Sequence, residues 1–273
     1  MSVPAHRLGV LGWPILHSRS PAMQNAALRA LGLHDWTYQR LPAPPELFSE
    51  LVRALPAAGF LGANVTVPHK HEALALADIR TPAATAIGAA NTLTFLQGGA
   101  IEADNTDAPG LIQALNRDLE GTTAMILGAG GSARAAAWAL REAGAEVAIW
   151  NRTPERAQAL AKELSIELVD RPRRATILIN ATTVGMDERL SADEALTSLR
   201  LDSDQLGSYE QVVDFVYAST PTALLTAARR AGALTVDGLA ILVAQGALSL
   251  ARWSGRVAPL EVMRAAAEGR GDG

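Results

Sequence analysis

The chain has 273 residues, 49% hydrophobic and 19% charged, enough for a buried core and too apolar for a disordered chain. A formal net charge of −4 leaves no basic field for nucleic acid or an anionic membrane. The absence of cysteine excludes disulfides, thiol catalysis and Cys-ligated metal centres.

Short apolar runs bounded by Gly, Pro or polar residues alternate with alanine-rich helical stretches, which is an α/β pattern. In chain order it predicts a strand at Leu8–Leu11, a helix at Pro21–Leu31, a strand at Trp36–Leu41 and a helix at Pro44–Ala54. Strands at Gly62–Val67 and Thr92–Leu96 and a helix at Pro109–Asn116 follow. Next come strand Thr123–Leu127, helix Ser132–Ala143, strand Glu146–Trp150, helix Pro154–Leu164, and strands Thr176–Asn180 and Gln211–Val216. Helix Thr222–Ala231, strand Thr235–Asp237 and helix Gly238–Trp253 complete the series. Ser20-Pro21 and Thr153-Pro154 read as helix starts, a hydroxyl cap followed by a residue with preset φ. The polar stretch Leu190–Tyr209 reads as a surface excursion.

At roughly 100–200 residues per domain, the length points to two domains. From about Thr122 to Asp237 the alternation suffices for one parallel sheet with helices on both faces. The remainder would form a first domain built from both ends of the chain. Nothing in the sequence approaches the ~20 apolar residues of a membrane span, and the first 20 residues lack a signal-peptide core. Cytoplasmic residence is the expectation.

The run Ala124-Met-Ile-Leu-Gly128-Ala-Gly130-Gly131-Ser-Ala133 is an apolar strand, then G-x-G-x-x-A, then an alanine-rich helix. The first glycine permits a tight turn, and the second lets backbone approach a pyrophosphate. Ala133 lets helix and strand pack closely, with the phosphates at the helix N-terminus. A turn that merely links strand and helix is the plainer reading; the strand–turn–helix context favours dinucleotide binding. The next strand ends in Asn151-Arg152-Thr153-Pro154-Glu155-Arg156, with no carboxylate at its end for a ribose 2′-hydroxyl. Two guanidiniums and a hydroxyl suit a 2′-phosphate, hence NADP rather than NAD. Solvated helix-start arginines are the alternative, although they oppose the helix dipole.

Of the 24 basic residues only Lys70 and Lys162 are lysines. Lys162 stands beside Glu163 on a predicted helix and reads as a surface charge. Lys70 closes the run Gly62-Ala-Asn64-Val-Thr66-Val-Pro68-His69-Lys70. With Asn91-Thr92 and Asn105-Thr106-Asp107 it offers neutral donors and acceptors, one ammonium and one carboxylate, a set suited to a polyhydroxylated acid. Taken singly these are turn or cap residues, and Asp107 would cap the helix that follows. His69 and His71 have no companions at ligand spacing, so no metal is expected. His17 beside Ser18 lacks a nucleophile elbow, so nucleophilic catalysis is not expected either.

In these motifs the chain resembles the shikimate dehydrogenase family, over almost its whole length and in order. They are His17-Ser18-Arg19-Ser20-Pro21, Asn64-Val-Thr66-Val-Pro68-His-Lys70, Ala90-Asn91-Thr92, Asn105-Thr106-Asp107, Gly128-Ala-Gly-Gly131 and Asn151-Arg152-Thr153. Asn180-Ala-Thr-Thr-Val-Gly-Met186, Asp214-Phe-Val-Tyr217 and Asp237-Gly238 with Gln245 continue the series. The resemblance implies a substrate domain of residues 1–107 and 238–273, and a Rossmann-type doubly wound NADP domain of residues 108–237. It also implies NADPH-dependent, reversible reduction of 3-dehydroshikimate to shikimate, within aromatic amino acid biosynthesis.

By that resemblance Lys70 and Asp107 are the catalytic pair. Ser18 and Ser20 would bind the substrate carboxylate, and Asn64, Thr66, Asn91, Tyr217 and Gln245 the ring hydroxyls and nearby groups. Gly128, Ala129, Gly130, Gly131 and Ser132 would cradle the pyrophosphate, with Asn151, Arg152, Thr153 and Arg156 at the 2′-phosphate. Residues Thr182–Met186, Phe215 and Gly238 would line the nicotinamide side. Trp13 and Ile241 depart from the family pattern at the site's edge. The resemblance further implies a cleft that closes about hinges near Asp107–Gly110 and Asp237–Gly238, and a monomer or homodimer. Two other readings stand beside it: a broader quinate/shikimate dehydrogenase using NAD(P), and a non-catalytic ligand sensor. Arg152, Arg156 and Ser20, where quinate users tend to carry threonine, speak against the first; the presence of Lys70 and Asp107 speaks against the second.

Overall fold

The structure is a computed structural model in which residues 6–270, except Glu188 and Ser219, are described. The chain divides into two compact units, Met1–Gly110 with Leu242–Gly273, and Leu111–Ile241. Residues 1–5 and 271–273, expected in the first domain, lie outside the described residues.

In the first unit β1 (His6–Gly12), α1 (Ser20–Ala30), β2 (Trp36–Pro42), α2 (Phe48–Ala54) and β3 (Phe60–Val65) come first. There follow α3 (Lys70–Leu76), β4 (Ile79–Arg80), α4 (Pro82–Ile87), β5 (Thr92–Phe95) and β6 (Ile101–Asp104). The six strands form one mixed sheet in the order β2-β1-β3-β5-β6-β4. Strands β2, β1 and β3 are parallel, and β5 runs antiparallel to both β3 and β6. Phe48 and Val52 of α2 and Ala73 and Leu74 of α3 pack with Leu11, Ala63 and Val65, which gives a dry layer on one face.

Helix α5 (Asp107–Leu115) carries the chain from the first unit into the second. There β7 (Thr123–Leu127), α6 (Gly131–Glu142), β8 (Glu146–Trp150), α7 (Pro154–Leu164), β9 (Glu167–Leu168) and β10 (Ile177–Asn180) alternate. They continue as α8 (Ala192–Ser198), β11 (Gln211–Asp214), α9 (Ala223–Arg230) and β12 (Leu234–Val236). All neighbouring strands are parallel, in the order β12-β11-β10-β7-β8-β9. This is the doubly wound dinucleotide order, with its reversal between β7 and β10. Period-two alternation explains the two layers. Ala124 and Ile126 of β7 face α6 and α7, whereas Met125 and Leu127 pack with α8 and α9. Helix α10 (Gly238–Ser254) returns the chain to the first unit, where α11 (Leu260–Ala267) packs on α1. Among the described residues no helix is long and apolar enough to cross a membrane.

Several expectations are corrected. The stretch Leu190–Tyr209 is not a solvated excursion. It contains α8 and the 3₁₀ turn Ser203–Ser208, and it sends Leu196, Leu199, Leu201, Leu206 and Tyr209 into the core. Ser191 and Glu194 start α8 with a reciprocal capping box. Leu206→Ala should therefore destabilise the protein by about 2–5 kcal/mol, measured by chemical denaturation; a change within ±0.5 kcal/mol, normal for an exposed loop, would mean a solvated excursion after all. Neither Ser20 nor Thr153 caps its helix through its hydroxyl, and Ser20 is already the first residue of α1. Strand β3 stops at Val65, so Thr66 lies in the turn beyond it.

Candidate active site

Lys70 is the first residue of α3, and its position is over-determined. The preceding residue, His69, is buried, stacks on Phe48 with ring centroids 4.2 Å apart, and hydrogen-bonds through Nε2 to the Ala43 carbonyl at 2.7 Å. A carbonyl only accepts, so Nε2 carries a proton. The Lys70 carbonyl accepts the Ala90 N–H, which binds α3 to the turn that presents Asn91. From there Lys70 Nζ reaches Asp107 Oδ2 at 2.6 Å, both side chains about nine-tenths buried.

Asp107 opens α5 but does not cap it. Asn105 Oδ1 accepts the Ala108 N–H instead, while Asn105 Nδ2 holds the Ala89 carbonyl. The Asp107 carboxylate is thereby left for side chains: Lys70 on Oδ2, and Asn91 Nδ2 on Oδ1 at 2.8 Å. Asn91 Nδ2 also lies 3.2 Å from Gln245 Oε1 on α10. Asn91 Oδ1 accepts the Thr106 N–H at 2.7 Å, which orients its amide. One buried network thus joins Lys70, Asp107, Asn91 and Gln245.

Asn64 belongs to the same network through a second layer. Its Oδ1 accepts the Tyr38 hydroxyl at 2.8 Å, and its Nδ2 donates to Ser249 Oγ at 2.8 Å. Thr92, Thr106 and Ser249 form a hydroxyl cluster behind it, with oxygens 3.0–3.1 Å apart. Both ends of the Asn64 amide are engaged within the protein. Ser18 and Ser20 are buried side by side, with the Ser20 N–H 3.3 Å from Ser18 Oγ, but no hydrogen bond links them to Lys70 or Asp107. Thr66 is half-buried. Sequence reasoning missed Tyr38 and Ser249. Ser249 had a signal, since it follows Gln245 by one helical turn within an otherwise apolar stretch.

In the second unit Gly128 ends β7 at φ +113°, where a Cβ would lie 2.8 Å from the Ala181 carbonyl oxygen. Only glycine fits that turn. A Cβ on Gly130 would meet open space, and the N-cap position of α6 brings no side chain to the helix's first N–H groups, which suits an anion at this helix start. Asn151 Nδ2 donates to the Thr153 carbonyl, which shapes the turn after β8. Arg152, Thr153 and Arg156 are exposed there, and neither guanidinium has an acidic partner among the described residues. The donor set fits a dinucleotide with a phosphorylated adenosine ribose. Ala129, Gly131, Ser132, Phe215 and Tyr217 are partly buried in this unit and Gly238 is buried, and the Thr182 hydroxyl donates to Asn180 Oδ1 at 2.7 Å.

Asp214, fully buried at the end of β11, was not singled out for a role. Burial pushes its carboxyl from 3.8 up to about 6, against hydrogen bonds from Thr222, Val216 and Asn180 that pull it down. A raised carboxyl pKa weakens the folded state once the group ionises. The penalty is absent below about pH 4 and complete above about pH 6. Asp214→Asn should therefore gain stability relative to the parent as pH rises from 4 to 7, by up to about 3 kcal/mol, read as Tm at each pH. A pH-independent difference would contradict this.

Comparison with known proteins bears on both units. A shikimate dehydrogenase substrate binding domain family matches residues 10–93, a shikimate / quinate 5-dehydrogenase family residues 111–184, and a shikimate 5'-dehydrogenase C-terminal domain family residues 238–268. The shikimate dehydrogenase (NADP(+)) of Anaeromyxobacter sp. (strain K) is 42% identical, over 96% of this chain and 95% of its own. The crystal structure of the Thermus thermophilus shikimate 5-dehydrogenase in complex with NADP(H) and shikimate is 40% identical. It superposes with a TM-score of 0.86 over 97% of this chain and 99% of that one. The Aquifex aeolicus shikimate dehydrogenase is 32% identical, with a TM-score of 0.86 over 97% and 98% of the two chains.

Proposed function

The chain belongs to the shikimate dehydrogenase family, and from that premise we propose that it interconverts 3-dehydroshikimate and shikimate with NADP, Lys70 and Asp107 handling the proton. It is an NADP-dependent oxidoreductase. The observation that carries the residue assignment is the buried Lys70–Asp107 pair at 2.6 Å, aimed by Asn91.

When bound, NADPH supplies the hydride and NADP⁺ accepts it. As the C3 carbonyl is reduced its oxygen gains negative charge, which needs a cation and a proton. The Lys70 ammonium offers both; in the oxidative direction the Lys70 amine takes the hydroxyl proton. Asp107 holds Nζ in place and accepts a hydrogen bond from the reacting hydroxyl. Asn91 fixes the Asp107 carboxylate and, with Gln245 and Thr66, binds ring hydroxyls. Ser18 and Ser20, buried side by side at the start of α1, bind the substrate carboxylate. Asn64, oriented by Tyr38 and Ser249, binds a ring hydroxyl as well. We also assign Tyr217 to substrate binding.

For the cofactor, the α6 N-terminus and residues Gly128–Ser132 bind the pyrophosphate. Asn151, Arg152, Thr153 and Arg156 bind the 2′-phosphate, and Thr182, Phe215 and Gly238 line the nicotinamide. We place the enzyme in the cytoplasm, as a monomer or homodimer. Initial rates on shikimate and quinate, each with NADP and NAD, test the reading. The highest kcat/KM is expected for shikimate with NADP; comparable values for quinate with NAD would instead make it a broad quinate/shikimate dehydrogenase.

A further inference from the structure

Asp214 is the only buried charged residue of the second unit among the described residues, and no step above uses it. Its three hydrogen-bond partners come from three separate segments. Asn180 Nδ2 and the Val216 N–H donate to Oδ1 at 2.9 and 3.0 Å, and the Thr222 hydroxyl donates to Oδ2 at 2.7 Å. Each partner governs a piece of chain. Asn180 Oδ1 accepts the N–H and hydroxyl of Thr182, and its Nδ2 donates to the Val184 carbonyl. Thr182 Oγ1 in turn accepts the Val184 N–H. Val216 belongs to the segment that carries Phe215 and Tyr217. Thr222 caps α9 by accepting the Leu225 N–H.

Asn180 and Asp214 are also register partners, the last residues of adjacent parallel strands β10 and β11. In a doubly wound sheet ligands lie beyond these carboxyl ends. A carboxylate suits this junction because it accepts from all three donors and brings no proton of its own. A lone buried carboxylate is an unfavourable packing residue, so packing alone does not account for it.

We propose that Asp214 is a positioning residue for the nicotinamide end of the cofactor. It ties the 182–186 turn to the 215–217 segment, so that the two present one fixed surface. The inference rests on the NADP reading above. It predicts damage confined to one end of the cofactor, because the pyrophosphate and 2′-phosphate residues share no hydrogen bond with Asp214.

The test compares Asp214→Ala, Asp214→Asn, Thr222→Val and Thr222→Ser in the full-length protein. Readouts are KM for NADP⁺ with shikimate, and the inhibition constant of 2′,5′-ADP, which occupies only the adenosine end. Asp214→Ala and Thr222→Val should raise KM for NADP⁺ about tenfold and leave the 2′,5′-ADP constant within twofold. Asp214→Asn should stay within about threefold of the parent, since its oxygen keeps the Asn180 and Val216 bonds and its amide donates to Thr222. Thr222→Ser should match the parent. Parallel increases in both constants would show general damage to the unit, and an unchanged KM in Asp214→Ala would show no positioning role; either overturns the proposal. If Asp214→Ala does not fold, the Thr222 pair decides. A parent protein that neither binds 2′,5′-ADP nor oxidises shikimate with NADP⁺ would end the functional reading before any variant is compared.

Discussion

Replacing Lys70 by Met should lower kcat about a thousandfold and change KM for shikimate only a few-fold. Methionine keeps the length and apolar stem of lysine but has neither charge nor exchangeable proton. The variant loses stability as well, because the Asp107 carboxylate stays buried with Asn91 as its remaining side-chain donor, and a broken buried pair costs about 3–5 kcal/mol. The two effects separate in the Lys70→Met/Asp107→Asn double variant. Removing the uncompensated charge should restore much of the Tm, while kcat stays low. Lys70→Arg should not rescue turnover, since a guanidinium does not release its proton near neutral pH. Recovery of kcat together with Tm in the double variant would mean that Lys70 contributes only to the fold.

Removing Arg152 and Arg156 together should raise KM for NADP⁺ about a hundredfold, from two charged hydrogen bonds of about 1.5 kcal/mol each, and leave kcat/KM for NAD⁺ almost unchanged. Both side chains are exposed and neither has an acidic partner among the described residues, so the substitutions break no ion pair and Tm should hold. Salt provides an independent check. KM of the parent for NADP⁺ should rise with ionic strength, and that of the double alanine variant much less. Equal losses with NAD⁺ and NADP⁺ would show that these arginines do not read the 2′-phosphate.

The second unit was the more legible in sequence. Strands Thr123–Leu127 and Glu146–Trp150 and helix Pro154–Leu164 occur with the predicted bounds. Buried parallel strands read as short unbroken apolar runs, and glycine or proline marks their ends. Helix α8 was missed because its turns are polar on one side and only Ala195 and Leu196 are buried, although Ser191 and Glu194 spelled its capping box. Helix α3 was missed because seven residues after a proline carry too little periodicity. In the site the residue types were readable but not their partners. Asn64 meets Ser249 across 185 positions, and Asn91 meets Gln245 across 154. Local pattern carries no information about such pairs, so the partners of Asn64 and Asn91 emerged only from the fold.

The discontinuity of the first unit bears on how the chain is made. Arg19 bonds the Ala267 carbonyl and Gln24 Nε2 bonds the Gly246 carbonyl, so α1 is completed by residues more than two hundred positions downstream. During vectorial synthesis the segment 111–241 emerges whole and can close while Met23 and Leu28, buried in the finished protein, still await α10 and α11. The unit whose first residues leave the ribosome earliest is thus completed last, and the buried face of α1 stays uncovered until α10 and α11 arrive.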